Sequence, residues 1–78
     1  MKTMTCEELG GACLKEFTAE TFDEITEQSK KHGMEMLKAG DQAHRDAMRV
    51  MQEMMETPTD MMEWLENKRL EFEALPED

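Results

Sequence analysis

CEELGGAC, the stretch of residues 6–13, contains both cysteines of the 78-residue chain and its clearest turn signal. Glycine accepts a positive φ without steric penalty, so the Leu-Gly-Gly of residues 9–11 predicts a tight turn between two strands. We therefore expect a β-hairpin over residues 2–17. A two-residue loop at its tip would place Cys6 directly opposite Cys13, about 5 Å apart at Cβ, whereas a longer loop would shift this register by one.

Three amphipathic helices follow the hairpin in our prediction, over about residues 22–39, 42–56 and 58–74. Thr21 begins a capping-box pattern before the first helix, and Asp41 suits the N-cap of the second. Pro58 suits the first position of the third helix, with Thr57 as its cap. The expected fold class is α+β, a single small domain over residues 1–78 in which a cysteine hairpin packs on a helical part of residues 18–78.

Apolar residues at three-to-four spacing predict the buried face of each helix. On the first helix this stripe is Phe22, Ile25, Ser29, His32 and Met36. On the second it is Ala43, Ala47, Val50, Met51 and Met54. On the third it is Met61 or Met62, Leu65, Arg69 and Phe72, with Trp64 beside it. The chain has ten methionines and few aromatic residues, so its core must draw largely on aliphatic side chains and methionine.

The chain is strongly acidic, with 19 acidic and 9 basic residues and a formal charge of −10. Such a charge repels nucleic acid and anionic membranes, so we expect neither as a partner. No segment approaches the roughly 20 apolar residues of a membrane span, and residues 1–8 lack the apolar run of a signal peptide. We expect a cytoplasmic protein with reduced thiols, either monomeric or homodimeric, and leave a protein partner open.

Four residues are candidate ligands for one metal ion: Cys6, Cys13, His32 and His44. Structural zinc takes four ligands of the thiolate and imidazole types, and these residues supply that number. Their spacings of six, eighteen and eleven intervening residues match no tight zinc knuckle. The two histidines flank the joint between the first two helices, and an antiparallel helix pair would bring them within reach of each other.

Other readings of the same residues stay open. The cysteines could be buried thiols or a reversibly oxidised pair, although they lack the Cys-x-x-Cys spacing of thioredoxin-like sites. The methionines, for example Met34 and Met36 beside His32, could hold Cu(I), but methionine at helical spacing usually belongs to a core. A metal-free, acidic, methionine-rich interaction module is the main alternative to zinc, and a thiol redox protein is a third hypothesis. Catalysis is not expected, because no phosphate-binding loop or nucleophile elbow is present.

The N-terminal half resembles a known family. The residues that carry the resemblance are the Cys-x2-Leu-Gly-x2-Cys element of residues 6–13, Phe17, Thr21-Phe22-Asp23-Glu24-Ile25 and Lys31-His32. Over about residues 2–38 they resemble a bacterial and archaeal domain-of-unknown-function family, catalogued as predicted small metal-binding proteins.

The resemblance implies that Cys6, Cys13 and His32 occupy ligand positions. Relatives often have a second histidine five residues after the first, where this chain has Leu37. The fourth ligand is then His44, a water, a carboxylate or a methionine, or else no metal binds. The resemblance implies a site and no reaction.

Overall fold

Two short antiparallel strands, β1 (Lys2–Thr5) and β2 (Glu16–Ala19), open the computed structural model, which describes residues 1–78. Their register pairs Met4 with Phe17, and both side chains are buried. Side chains alternate between the two faces of a strand, so one face of the hairpin is apolar and packs on the helices. The predicted α+β class is confirmed.

The connection between the strands differs from the tight hairpin turn that the sequence suggested. Residues 6–15 form a longer loop that begins with a 3-10 turn over Glu7–Leu9. Gly10 has a φ of +88° and closes that turn, its N–H donating to the Glu7 carbonyl at 3.0 Å. Of the two alternatives that the sequence left open, the structure has the longer loop. Cys6 and Cys13 both lie in this loop and do not pair across the two strands. The return strand extends to residue 19.

The three helices are α1 (Phe22–Lys38), α2 (Gln42–Met54) and α3 (Pro58–Ala74). Each begins where a side-chain oxygen accepts a backbone N–H of the first turn, from Thr21, Asp41 and Thr57 respectively. These caps satisfy backbone donors that lack partners inside a helix. The predicted starts are confirmed, and α1 and α2 end one and two residues before their predicted ends.

The core lies between the hairpin, α1 and the C-terminal end of α3. Its buried apolar side chains are Met4, Cys6, Leu9, Phe17, Ala19, Phe22, Ile25 and Phe72. Ile25, at the centre of the α1 stripe, is 0% exposed. Full burial of an aliphatic side chain of this size contributes about 1.5–3 kcal/mol. The predicted inner face of α1 is confirmed, since Phe22, Ile25 and His32 are all buried.

The inner faces predicted for α2 and α3 are largely wrong. His44 is the only buried side chain of α2, and the predicted Val50 and Met54 are 49% and 57% exposed. Phe72 is the only buried side chain of α3, whereas its exposed large residues include Met61, Met62, Leu65 and Leu70. The molecule is only 15 Å thick along its shortest axis, so no further layer covers these stripes.

None of the three helices combines the length and the apolar composition that a bilayer crossing requires.

Candidate metal centre

The structure brings the four candidate ligands together. One ligand atom each from Cys6, Cys13, His32 and His44 lies within 4.8 Å of every other. The loop of residues 6–15 supplies both sulfurs, α1 supplies one imidazole and α2 supplies the other. Three separately formed elements thus converge on one point, and the protein has a Cys2His2 cluster compatible with a small metal-binding module.

The distances across the cluster suit a tetrahedral ion. Cys6 Sγ and His44 Nε2 lie 3.7 Å apart, and Cys13 Sγ and His32 Nε2 lie 3.2 Å apart. Zinc bonds sulfur at about 2.3 Å and imidazole nitrogen at about 2.0–2.1 Å, so sulfur and nitrogen on a regular tetrahedron are about 3.6 Å apart. Small movements of the side chains would complete that geometry.

The loop positions the sulfur of Cys6 by close backbone packing. The backbone of Cys13 and Ala12 next to this sulfur favours its thiolate form. Gly11 lies against the same sulfur, and a Cβ added there would be 2.1 Å from Sγ and 3.0 Å from the Cys6 carbonyl oxygen. Only glycine fits at this position, so the second glycine of the Gly10-Gly11 pair serves the site.

The two thiols have different acidities. Burial raises the pKa of Cys6, and the hydrogen bonds from backbone N–H groups offset this only in part. The backbone N–H of Lys15 lowers the pKa of Cys13, helped by the side chains of His44 and Cys6. A hydrogen bond to the thiolate stabilises its charged form, so Cys13 is the more acidic of the pair.

His44 is held by a carboxylate that the sequence identified only as a helix cap. Asp41 Oδ2 lies 2.6 Å from His44 Nδ1 and also accepts the His44 backbone N–H at 2.9 Å. This contact raises the pKa of His44 and lowers that of Asp41. It directs Nε2 at the sulfurs, the arrangement by which carboxylates orient metal-binding histidines. The signal in the sequence was the Asp-x-x-His spacing at a helix start.

His32 lies in a more apolar setting. Its ring contacts the ring of Phe17, with centroids 5.6 Å apart, and meets the ring of His44 at 5.3 Å. Burial, followed by the nearby charge of His44, lowers the pKa of His32. The neutral imidazole, which is the form that binds metal, is therefore favoured at this position.

The cluster is closed on most sides. Cys6, His32 and His44 are buried, and Cys13 is half-buried. The position that relatives were expected to fill with histidine, Leu37, is not part of the cluster, and His44 from α2 completes the set of four. Four side-chain ligands would leave an ion no free coordination position, as in structural rather than catalytic zinc sites.

Comparisons of the chain with models of protein families, with curated proteins and with solved structures found no match. The family resemblance drawn from residues 2–38 therefore stays a prediction.

Proposed function

We propose that this protein is a small zinc-binding module in which Cys6, Cys13, His32 and His44 hold one ion. The proposal rests on the approach of all four ligand atoms to within 4.8 Å of one another. Packing of the loop against the two helices does not by itself require these four side chains to converge. Two cysteines and two histidines at this spacing provide the number and types of ligands of a structural zinc site.

The donor set favours zinc over Cu(I). Two thiolates neutralise the charge of a divalent ion, and two imidazole nitrogens complete a tetrahedron. Cu(I) favours thiolate and thioether ligands, but the cluster consists only of cysteine and histidine. When bound, zinc would supply cross-links between the loop, α1 and α2.

The closed ligand set supports a binding or regulatory module rather than a catalyst. Catalytic zinc keeps one position for water or substrate, and here four protein side chains are available. The small core supports the same reading, because only 10 of 78 residues are buried. Domains of this size commonly depend on a metal or another cross-link for stability.

The test begins with protein purified without an affinity metal. We expect elemental analysis to give one zinc per chain, and a chelator to lower the melting temperature, because the free energy of metal binding is folding free energy. A Cys6→Ser/Cys13→Ser variant should melt like the chelated protein and should no longer respond to chelator.

The alternatives predict different results. A metal-free interaction module would contain no zinc, would ignore the chelator and would lose little stability on replacement of both cysteines. A thiol redox protein would show a strongly reactive thiolate in pH-dependent alkylation. A zinc-free preparation that does not bind added zinc and keeps its melting curve in chelator would rule out the proposed function.

A further inference from the structure

Beside the metal centre lies an apolar cavity of about 350 Å³. Its walls come from α1, α2 and the loop of residues 6–15, and three methionines line it: Met34, Met48 and Met51. Leu9 and Ala47 add further apolar surface. Ligand sites in proteins are concave, mostly apolar and about 300–1,000 Å³ in volume, so this cavity has the size for a small molecule.

Gly33 points to a use for this space. It lies in the interior of α1, lines the cavity, and a Cβ added there would meet nothing within 4 Å. Its φ is not positive, so the backbone does not require glycine. Glycine inside a helix is less favourable than alanine. Neither packing nor conformation explains the residue, and a side chain larger than alanine would project into the cavity.

The charge of the cavity selects the kind of ligand. Lys30 is the only lysine among its twelve lining residues, which include His44 but no carboxylate, although the chain has 19 acidic residues. Its ammonium forms no ion pair with the protein. Ser29 adds a hydroxyl next to it. A free cation beside an otherwise apolar cavity suits a ligand with one anionic group and an apolar tail.

We propose that this cavity binds a small carboxylic acid with a short aliphatic tail. The tail lies on the thioethers of Met34, Met48 and Met51, which adapt easily to the shape of a ligand. The carboxylate pairs with Lys30. This assignment goes beyond the proposed zinc site, with which the cavity shares the lining residues Cys6 and His44. It rests on the apolar lining, Gly33 and Lys30.

The methionine methyl groups provide the readout. Protein labelled with ¹³C at the methionine methyls is titrated with octanoate and followed by NMR. We expect saturable shifts at Met34, Met48 and Met51, with Met61 and Met62, which do not line the cavity, unchanged. Affinity should increase about fourfold for each methylene added between hexanoate and octanoate, the equivalent of about 0.8 kcal/mol.

Matched variants test the two halves of the proposal. Lys30→Gln should lower the affinity for octanoate two- to fivefold, as expected for the loss of an exposed ion pair, and should leave the affinity for octanol unchanged. Lys31→Gln is the control, since Lys31 is the neighbouring cation and does not line the cavity. Gly33→Leu should abolish the shifts, while Gly33→Ala should retain most of the binding. Circular dichroism checks that each variant is folded.

Three outcomes would overturn the proposal. Shifts at Met61 and Met62 as large as those at the three methionines of the cavity would mean that octanoate binds apolar surface without a site. If octylamine binds with the same affinity as octanoate, Lys30 does not select an anionic group. If octanoate binds more tightly than octanol but Lys30→Gln does not change its affinity, the carboxylate binds at another group, such as a bound ion.

Discussion

Replacing Gly11 by alanine should weaken zinc binding strongly while leaving most of the fold in place. The added Cβ would lie 2.1 Å from Cys6 Sγ, and real Cβ contacts are essentially never shorter than 3.0 Å, so the sulfur must move by about 0.9 Å. The φ of Gly11 is not in the left-handed region, so the backbone accepts alanine and the effect is purely steric.

The size of the loss follows from the geometry of metal sites. Ligand distances in such sites are held within about 0.2 Å, so a movement of 0.9 Å disengages the Cys6 sulfur. Binding of structural zinc is worth about 10–16 kcal/mol in all, or about 2.5–4 kcal/mol for each of four ligands if they share it equally. We therefore expect zinc affinity to fall roughly 100- to 1,000-fold, since each 1.4 kcal/mol is a factor of ten. Without zinc, overpacking of the loop should cost about 1–3 kcal/mol.

The assay is a competition titration of zinc against a chromophoric chelator, with urea unfolding of the metal-free protein beside it. Gly33→Ala is the control, because its added Cβ meets nothing within 4 Å. It should keep the zinc affinity and gain about 0.5–1 kcal/mol from the better helix former. Wild-type zinc affinity in Gly11→Ala would refute the assignment of Cys6 as a ligand held by this contact.

Three further predictions concern the carboxylate, the core and pH. Asp41→Asn should lower the zinc affinity 10- to 100-fold in the same titration, because asparagine keeps the helix cap but lacks the negative charge that holds the His44 ring. An unchanged affinity would contradict the orienting role of Asp41. Ile25→Ala should cost about 2–5 kcal/mol in urea unfolding, whereas Leu14→Ala, at a side chain 72% exposed, should stay within about 0.5 kcal/mol; equal effects would contradict the core described above. Apparent zinc affinity should rise with pH, about tenfold per unit for each ligand still protonated in the metal-free protein. The Cys6 thiol, whose pKa is raised by burial, is protonated through the neutral range, and His44, whose pKa is raised by Asp41, takes up a further proton on acidification. The slope should therefore steepen as the pH falls, and a flat profile would contradict protonated ligands in the metal-free protein.

Local chemistry made the helices and the ligands predictable. Thr21, Asp41 and Thr57 fix the helix starts through contacts within three residues, and such contacts can be seen in the sequence alone. The four candidate ligands were found because cysteine and histidine are few in this chain, with only two of each. Their convergence depended on the short joint between α1 and α2, which the sequence also shows.

The features that the sequence did not reveal depend on the neighbours of each element. An apolar stripe indicates which face of a helix can be buried, but it does not indicate whether another layer covers that face. Val50 and Met54 were therefore assigned to the core, whereas both are exposed. The loop of residues 6–15 was hard to predict for the same reason, because Gly10 and Gly11 are as compatible with a tight hairpin turn as with a longer loop. Burial of Leu9 and the approach of Gly11 to the Cys6 sulfur accompany the longer loop instead.

The weak anchoring of α2 links the two proposed sites thermodynamically. The helix buries only His44, and the same helix carries Met48 and Met51 to the cavity. An ion that fixes His44 would also fix the wall on which an acid binds, so zinc and acid would each raise the affinity of the protein for the other by the same factor. A domain of this kind would report the concentration of one ligand through its occupancy by the other.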